Sequence, residues 1–323
     1  MVDLYSIFCG IEPAESDEKC FPAEEITSAL PHRLGCSQDG FPIFFVECCD
    51  EMPTTNINLK QFSVNFNQVC NLNEGGKTVC KKYTIILLKS LESDIQKYFL
   101  DLVYIVLKKL PVKPTVSALK HELAKVISLF TAPPSFSKEI VQGLWAELFV
   151  IACGKDPLYL INSWHVTPED KYDFNDGIDK IEVKATRNQD RVHAFAIEQL
   201  NPNKDSKLLI ASIIVAPSGQ GGNIFDLIDT ISEKVADIDA ILKLKEVAYQ
   251  TIGPHLEESK KIRFDVNMAV NTYKLFNHYD VPAIPLSAVP YEVSNIHFSS
   301  CLKDITAVDT DTLESKLQQA LKV

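Results

Sequence analysis

Runs rich in Val, Ile, Phe and Tyr mark the opening third of the chain. Phe41–Cys48, Gln61–Cys70 and Thr78–Leu88 are such runs, set apart by clusters such as Asn73-Glu74-Gly75-Gly76, and they predict strands. The apolar period then becomes helical. Over Asp94–Leu110, Ile95, Phe99, Leu102, Val103 and Val106 form one stripe; Thr115 can cap a second helix carrying Leu119, Leu123, Val126 and Ile127. Pro133-Pro134 breaks the chain, which places a domain boundary there. Beyond it, Ser135 and Ser137 both suit the cap of a helix running to Cys153 and stopped by Gly154, with Leu144, Leu148 and Ile151 on one stripe and Glu147 at its border. Leu158–Trp164 predicts a strand, Tyr172–Arg187 a hairpin, Ala194–Leu200 a short helix, and the apolar run Leu208–Ala216 a strand buried on both faces. The order is helix, strand, strand, strand, helix, strand. Ser218–Asn223 (SGQGGN) reads as a loop that lacks the ending of a phosphate-binding loop. Helices over Ile224–Ala236 and Ile238–Ile252 follow, ended by Gly253-Pro254; Lys261–Val308 reads as mostly strand, and Thr312 as the cap of a last helix. The expected divisions are 1–134, 135–253 and 254–323.

The hairpin holds the candidate chemistry. Asn175-Asp176-Gly177 favours a turn with positive φ. In the strand after it, Ile181, Val183 and Ala185 share one face and Glu182, Lys184 and Thr186 the other. With Asp173 just before the turn, two carboxylates and a lysine converge at one sheet edge. Carboxylates can hold a hard divalent cation, and a lysine beside it can polarise a water or an anionic oxygen. A bare Glu-x-Lys also describes any half-exposed strand. Asp176 and Asp179 are rival acids. Asp176 suits the turn, and Asp179 has the parity of Ile181 and Val183, pointing away from Glu182.

Charge changes what this site can be expected to grip. The net charge is −11, and residues 1–60 hold eleven acids against three Lys/Arg, so −8 of it lies there. Lys180, Lys184, Arg187, Arg191, Lys204 and Lys207 face four acids over 180–207, a mild excess and not a basic patch. Strong non-specific DNA binding by the chain alone is therefore not expected. Seven of the nine cysteines fall in the first 80 residues with no Cys-x-x-Cys pair. They are expected to be reduced thiols packed as small apolar residues, a metal site from distant members being the alternative. No run of ~18 apolar residues and no basic leader appears, so neither a membrane span nor a signal peptide is expected, and a cytoplasmic location is.

Residues 138–216 resemble the PD-(D/E)XK nuclease superfamily, and nearly the whole chain resembles a bacterial family of PD-(D/E)XK-motif proteins. The residues that carry this are GLWAEL (143–148), Trp164, YDF (172–174), IEVKATR (181–187), RVH (191–193) and EQL (198–200). Tyr172 stands where the superfamily usually has proline. The resemblance implies an α/β (α+β) fold: a restriction-endonuclease-like αβββαβ core, with a β-rich N-terminal domain and C-terminal helices and strands. It implies that Asp173 and Glu182, with the carbonyl of Val183, bind Mg²⁺ (Mn²⁺ substituting), that Lys184 orients or activates the attacking water, and that Glu147 helps to hold metal or its bound water. Glu147 could equally be a solvated helix acid. Arg187, Arg191 and His193 are candidate phosphate contacts, the last two otherwise belonging to a surface loop. Gln199 could reach the site from the following helix or serve as a cap, and Trp145 and Trp164 read as core. The implied activity is Mg²⁺-dependent endonucleolytic cleavage of DNA within a restriction or phage-defence system. Other subunits of such a complex, or a second copy of the chain, are the expected partners. Rival readings are a non-catalytic nuclease-fold subunit that binds DNA or protein, and a repair or recombination nuclease for branched DNA.

Overall fold

The computed structural model describes residues 3–13, 20–59, 62–131, 137–167, 170–203, 206–253 and 255–322. Gln61, Pro133-Pro134, Ser135, Lys204 and Pro254 lie outside these. The chain divides into two compact units, Met1–Pro134 and Ser135–Val323.

In the first unit a helix α1 (Leu4–Cys9) precedes six strands: β1 (Phe21–Glu25), β2 (Arg33–Cys36), β3 (Pro42–Val46), β4 (Ile57–Asn58), β5 (Phe62–Glu74) and β6 (Lys77–Leu88). The sheet order is β1-β2-β3-β6-β5-β4, and β1 also pairs in parallel with the far end of β5, so the sheet curls back on itself. Helices α2 (Ser93–Lys109) and α3 (Val116–Thr131) complete the unit. Phe99 of α2 meets Phe44 and Phe62 edge-on at 5.7 and 5.8 Å. Thr115 caps α3 by accepting the Ala118 N–H at 3.2 Å. All nine cysteines are free thiols; Cys36 and Cys70 are buried and Cys20, Cys48 and Cys153 half-buried, while Cys9, Cys49, Cys80 and Cys301 are exposed and do not pack as small apolar residues.

The second unit begins with α4 (Lys138–Cys153), whose cap is Ser137, accepting the Ile140 N–H. Next comes α5 (Pro157–Ser163), where the residue pattern predicts a strand. The reason is local. Asp156 accepts the Tyr159 N–H, and Pro157 sits at the first helical position, so the segment starts as a helix before its apolar residues can pair. Strands β7 (Phe174–Asn175), β8 (Asp179–Thr186), β9 (Val192–Ala196) and β10 (Lys207–Ile214) follow, with a 3₁₀ turn at Ile197–Leu200. The expected helix over 194–200 is thus a strand end plus that turn, because 192–196 pair with β13 (His297–Cys301). The central sheet has the order β12-β10-β8-β7, where β12 is Lys274–Asn277; β8 and β10 are parallel and the outer pairings antiparallel.

SGQGGN is not a loop: β11 (Pro217–Gly222) bridges Phe264, and Gly221 lies so close to the Phe264 backbone that a Cβ there would overlap it. Helices α6 (Ile224–Lys234), α7 (Ile238–Ile252), α8 (Leu256–Lys261) and α9 (Val266–Thr272) come next, so the tail is less strand-like than its composition predicts. The last helix, α10 (Lys316–Ala320), is capped by Ser315; Thr312 falls in a preceding 3₁₀ turn. Among the described residues, no helix is long and apolar enough to cross a membrane.

Candidate functional site

The turn before β8 forms as its residues dictate. Gly177 takes φ +94, and Asp176 Oδ1 accepts the N–H groups of Ile178 and Asp179 at 3.0 and 2.8 Å, so Asp176 is a turn former. Asp179 is wholly buried, and its carboxylate meets no hydrogen-bond partner. Asp173 ends the segment before β7. Its Oδ2 accepts the Val183 N–H at 2.6 Å, which ties Asp173 to β8.

A second link to Asp173 comes from α5. Lys243 of α7 donates to the carbonyls of Ile161, Asn162 and Trp164 at 2.8, 3.0 and 2.7 Å, closing the C-terminal end of α5 with a cation. The chain then runs extended: Trp164 bridges Phe174, and the His165 N–H donates to the Asp173 carbonyl at 2.9 Å. Both rings are thereby turned toward α4. Glu147 Oε2 accepts the Trp164 indole N–H at 2.7 Å and lies 2.9 Å from His165 Nε2. Trp164 is core, as expected, but it also fixes Glu147. Trp145 is core outright, stacked on Phe149.

Glu147, His165 and Asp173 bring ligand atoms within 4.8 Å of one another. Glu182 lies just outside this trio. Its Oε1 accepts from Lys184 Nζ at 2.8 Å and from Gln199 Nε2 at 2.6 Å, while its Oε2 is buried with no partner. Gln199 is more than a cap. Its Oε1 accepts from Lys184 at 3.2 Å and from the Ala196 N–H at 3.0 Å, so one amide joins the Glu–Lys pair to the turn after β9. Lys184 also lies over the Phe195 ring.

Electrostatics follow from this crowding. Burial first, then the Glu182 and Glu147 carboxylates, push Asp173 well above the ordinary carboxylate range, against the Val183 N–H and Lys184. Burial likewise raises Glu182, against the pull of Lys184. Three carboxylates thus share one pocket with one lysine, and one buried carboxylate oxygen lacks a partner. Such a donor set fits a divalent cation, which would take the place of the protons that burial otherwise favours.

Two expected phosphate contacts are not available. Arg191, at φ +54, is buried; its guanidinium donates to the Ser212 carbonyl and hydroxyl at 3.0 and 2.8 Å and to the Thr272 carbonyl. His193 is buried beside it, with Nε2 2.8 Å from Ser212 Oγ. That hydroxyl also accepts from Arg191, and its hydrogen bond with His193 takes its direction from the imidazole tautomer. Burial, then Lys184 and Arg191, drive His193 down to about 3, so it stays neutral. These residues tie β9 to β10 and α9 instead of facing solvent. Arg187 is exposed past the end of β8. Residue patterns missed His165 and Lys243; neither sits in a motif, and only the bridge between 164 and 174 and the approach of α7 bring them in.

A family model described as "Putative PD-(D/E)XK family member, (DUF4420)" matches residues 26–303, a span that contains every residue of this site. No curated protein and no solved structure matches the chain.

Proposed function

Because the chain belongs to this PD-(D/E)XK family, we propose that it is a metal-dependent endonuclease that hydrolyses DNA phosphodiester bonds, serving in a bacterial restriction or phage-defence system. The observation that carries the reading is the convergence of Glu147, Asp173, Glu182 and Lys184, drawn from one helix and one hairpin, on a single pocket. The defence role rests on likeness to restriction nucleases alone.

Asp173 and Glu147 would hold the cation, Mg²⁺ or Mn²⁺, with Glu182 at its margin. When bound, the cation supplies positive charge to the phosphoryl oxygens and to the leaving oxygen. Lys184 keeps its side chain 18% exposed, enough to meet a water or a phosphate, while Glu182 and Gln199 fix its direction. It orients the attacking water and offsets charge on the phosphate. Arg187, at the open end of β8, is the phosphate contact that remains. The chain carries no nucleotide-binding motif, so an energy-dependent step would fall to a partner subunit.

A second reading has its own support. Glu182 and Lys184 are paired with each other, and Arg191 and His193 are spent inside the fold. A nuclease fold used only to bind DNA or protein in a larger complex would look the same. Supercoiled plasmid incubated with Mg²⁺ or Mn²⁺ separates the two. The wild type should nick or linearise it, and Lys184→Ala should lower the rate by at least ~100-fold with the fold retained. Absence of cutting by the wild type, alone and with its partners, would leave the binding role. Branched and modified duplexes in the same assay would identify a repair substrate.

A further inference from the structure

His165 adds a nitrogen donor to a centre otherwise built from carboxylates. Its main-chain N–H is fixed on the Asp173 carbonyl, and its ring is held against Glu147. The mutual limit of 4.8 Å among the Glu147, His165 and Asp173 ligand atoms is within reach of one ion bound at ~2.1 Å to each after slight closure. Glu182 directs one oxygen to Lys184 and Gln199, leaves the other unpartnered, and falls outside this trio. The centre therefore holds a His-containing trio with a lysine-positioning pair beside it.

We infer that Glu147, His165 and Asp173 form a mixed nitrogen–oxygen cation site that takes Mn²⁺, or a later first-row divalent ion, in preference to Mg²⁺. The inference rests on the metal-dependent reading above and names its ion. Mg²⁺ prefers an all-oxygen octahedron and keeps much of its water, whereas an imidazole nitrogen favours the transition ions. A purely bracing role for His165 explains less. Glu147 Oε2 already receives the Trp164 indole N–H, and the other His165 ring nitrogen, Nδ1, is buried with no hydrogen-bond partner, an arrangement that an uncharged amide donor would avoid.

The test uses the full chain with Mn²⁺ and Mg²⁺, each added by itself, as probes. Calorimetric titration should give Mn²⁺ binding at least ~10-fold tighter than Mg²⁺, and pulsed EPR of the bound Mn²⁺ should show coupling to an imidazole ¹⁴N. In His165→Gln that coupling should vanish and Mn²⁺ affinity fall by at least ~10-fold, with Mg²⁺ affinity changed by no more than ~3-fold. Asp173→Asn should remove the bound Mn²⁺. Bound Mn²⁺ without ¹⁴N coupling in the wild type, coupling that survives Asp173→Asn, or equal wild-type affinities for the two ions would overturn the assignment. The wild-type spectrum decides even if a variant fails to fold. Cleavage without ¹⁴N coupling would sink this inference alone; ¹⁴N coupling without cleavage in any metal would sink the nuclease reading alone.

Discussion

Gln199 is the smallest part on which the proposed chemistry depends. Its amide holds Glu182 at 2.6 Å and Lys184 at 3.2 Å, and both groups need a fixed direction to act. Gln199→Ala should lower kcat for cleavage by ~10–100-fold, as a misplaced catalytic group does, while the melting temperature shifts by only a few degrees. Single-turnover kinetics beside a thermal scan would check both halves. His193 makes a stability prediction of the opposite kind. Its folded form is neutral down to about 3, whereas the unfolded chain protonates it near 6.5. Between these values the unfolded state binds the extra proton, so the contribution is intact above 6.5 and is lost as pH falls toward 3, at up to ~1.4 kcal/mol per pH unit. His32, pushed by burial to about 4, adds to the same slope. Urea midpoints from pH 7 to pH 4.5 should fall more steeply for the wild type than for His193→Asn.

At the scale of elements, α5 decides whether the cation trio exists. It is pinned at one end by Asp156 and at the other by Lys243, and the two site rings follow its last residue. Lys243→Met should destabilise the protein by roughly 2–4 kcal/mol, because three carbonyls lose a charged donor and only that of Ile161 keeps another, the Trp164 N–H. The same variant should weaken Mn²⁺ binding, although Lys243 does not belong to the trio. Denaturant titration and calorimetry would read the two effects separately. Asp156→Ala removes only one capping bond and should cost about 1 kcal/mol.

For the whole molecule, charge sets the limit. A chain of net charge −11, with Arg191 buried and Arg187 exposed, is expected to make few phosphate contacts if DNA is its substrate, as proposed. Its affinity for duplex DNA should therefore fall only shallowly with salt, and Arg187→Ala should lower the slope of log affinity against log salt by ~1. Fluorescence anisotropy between ~50 and 200 mM salt would measure it; a steep slope would point to a basic surface supplied by a partner or a second copy. The two units each have their own sheet and core. Residues 135–323 expressed alone should accordingly unfold in one cooperative transition, visible by calorimetry.

The sequence by itself determined the hairpin, its turn and which residues alternate along β8, because period-two alternation and an Asn-Asp-Gly turn are local physics. It also determined the paired helices α2 and α3 and the buried strand β10, whose apolar patterns are long enough to leave no alternative. Tertiary structure decided what short segments became. Leu158–Trp164 has strand-like composition, yet a capped first turn makes it a helix, and β11 exists only because Phe264 lies beside it. Arg191 and His193 looked like solvent-facing cations; their partners, Ser212 and Thr272, come from β10 and α9, far along the chain. His165 shows the same limit from the other side. Nothing within a few residues of it marks a ligand, and it meets Glu147 and Asp173 only through a bridge between segments that pair in space. Local patterns report what a residue does to its neighbours in sequence; a site made from a helix, a loop and a hairpin depends on which neighbours folding supplies.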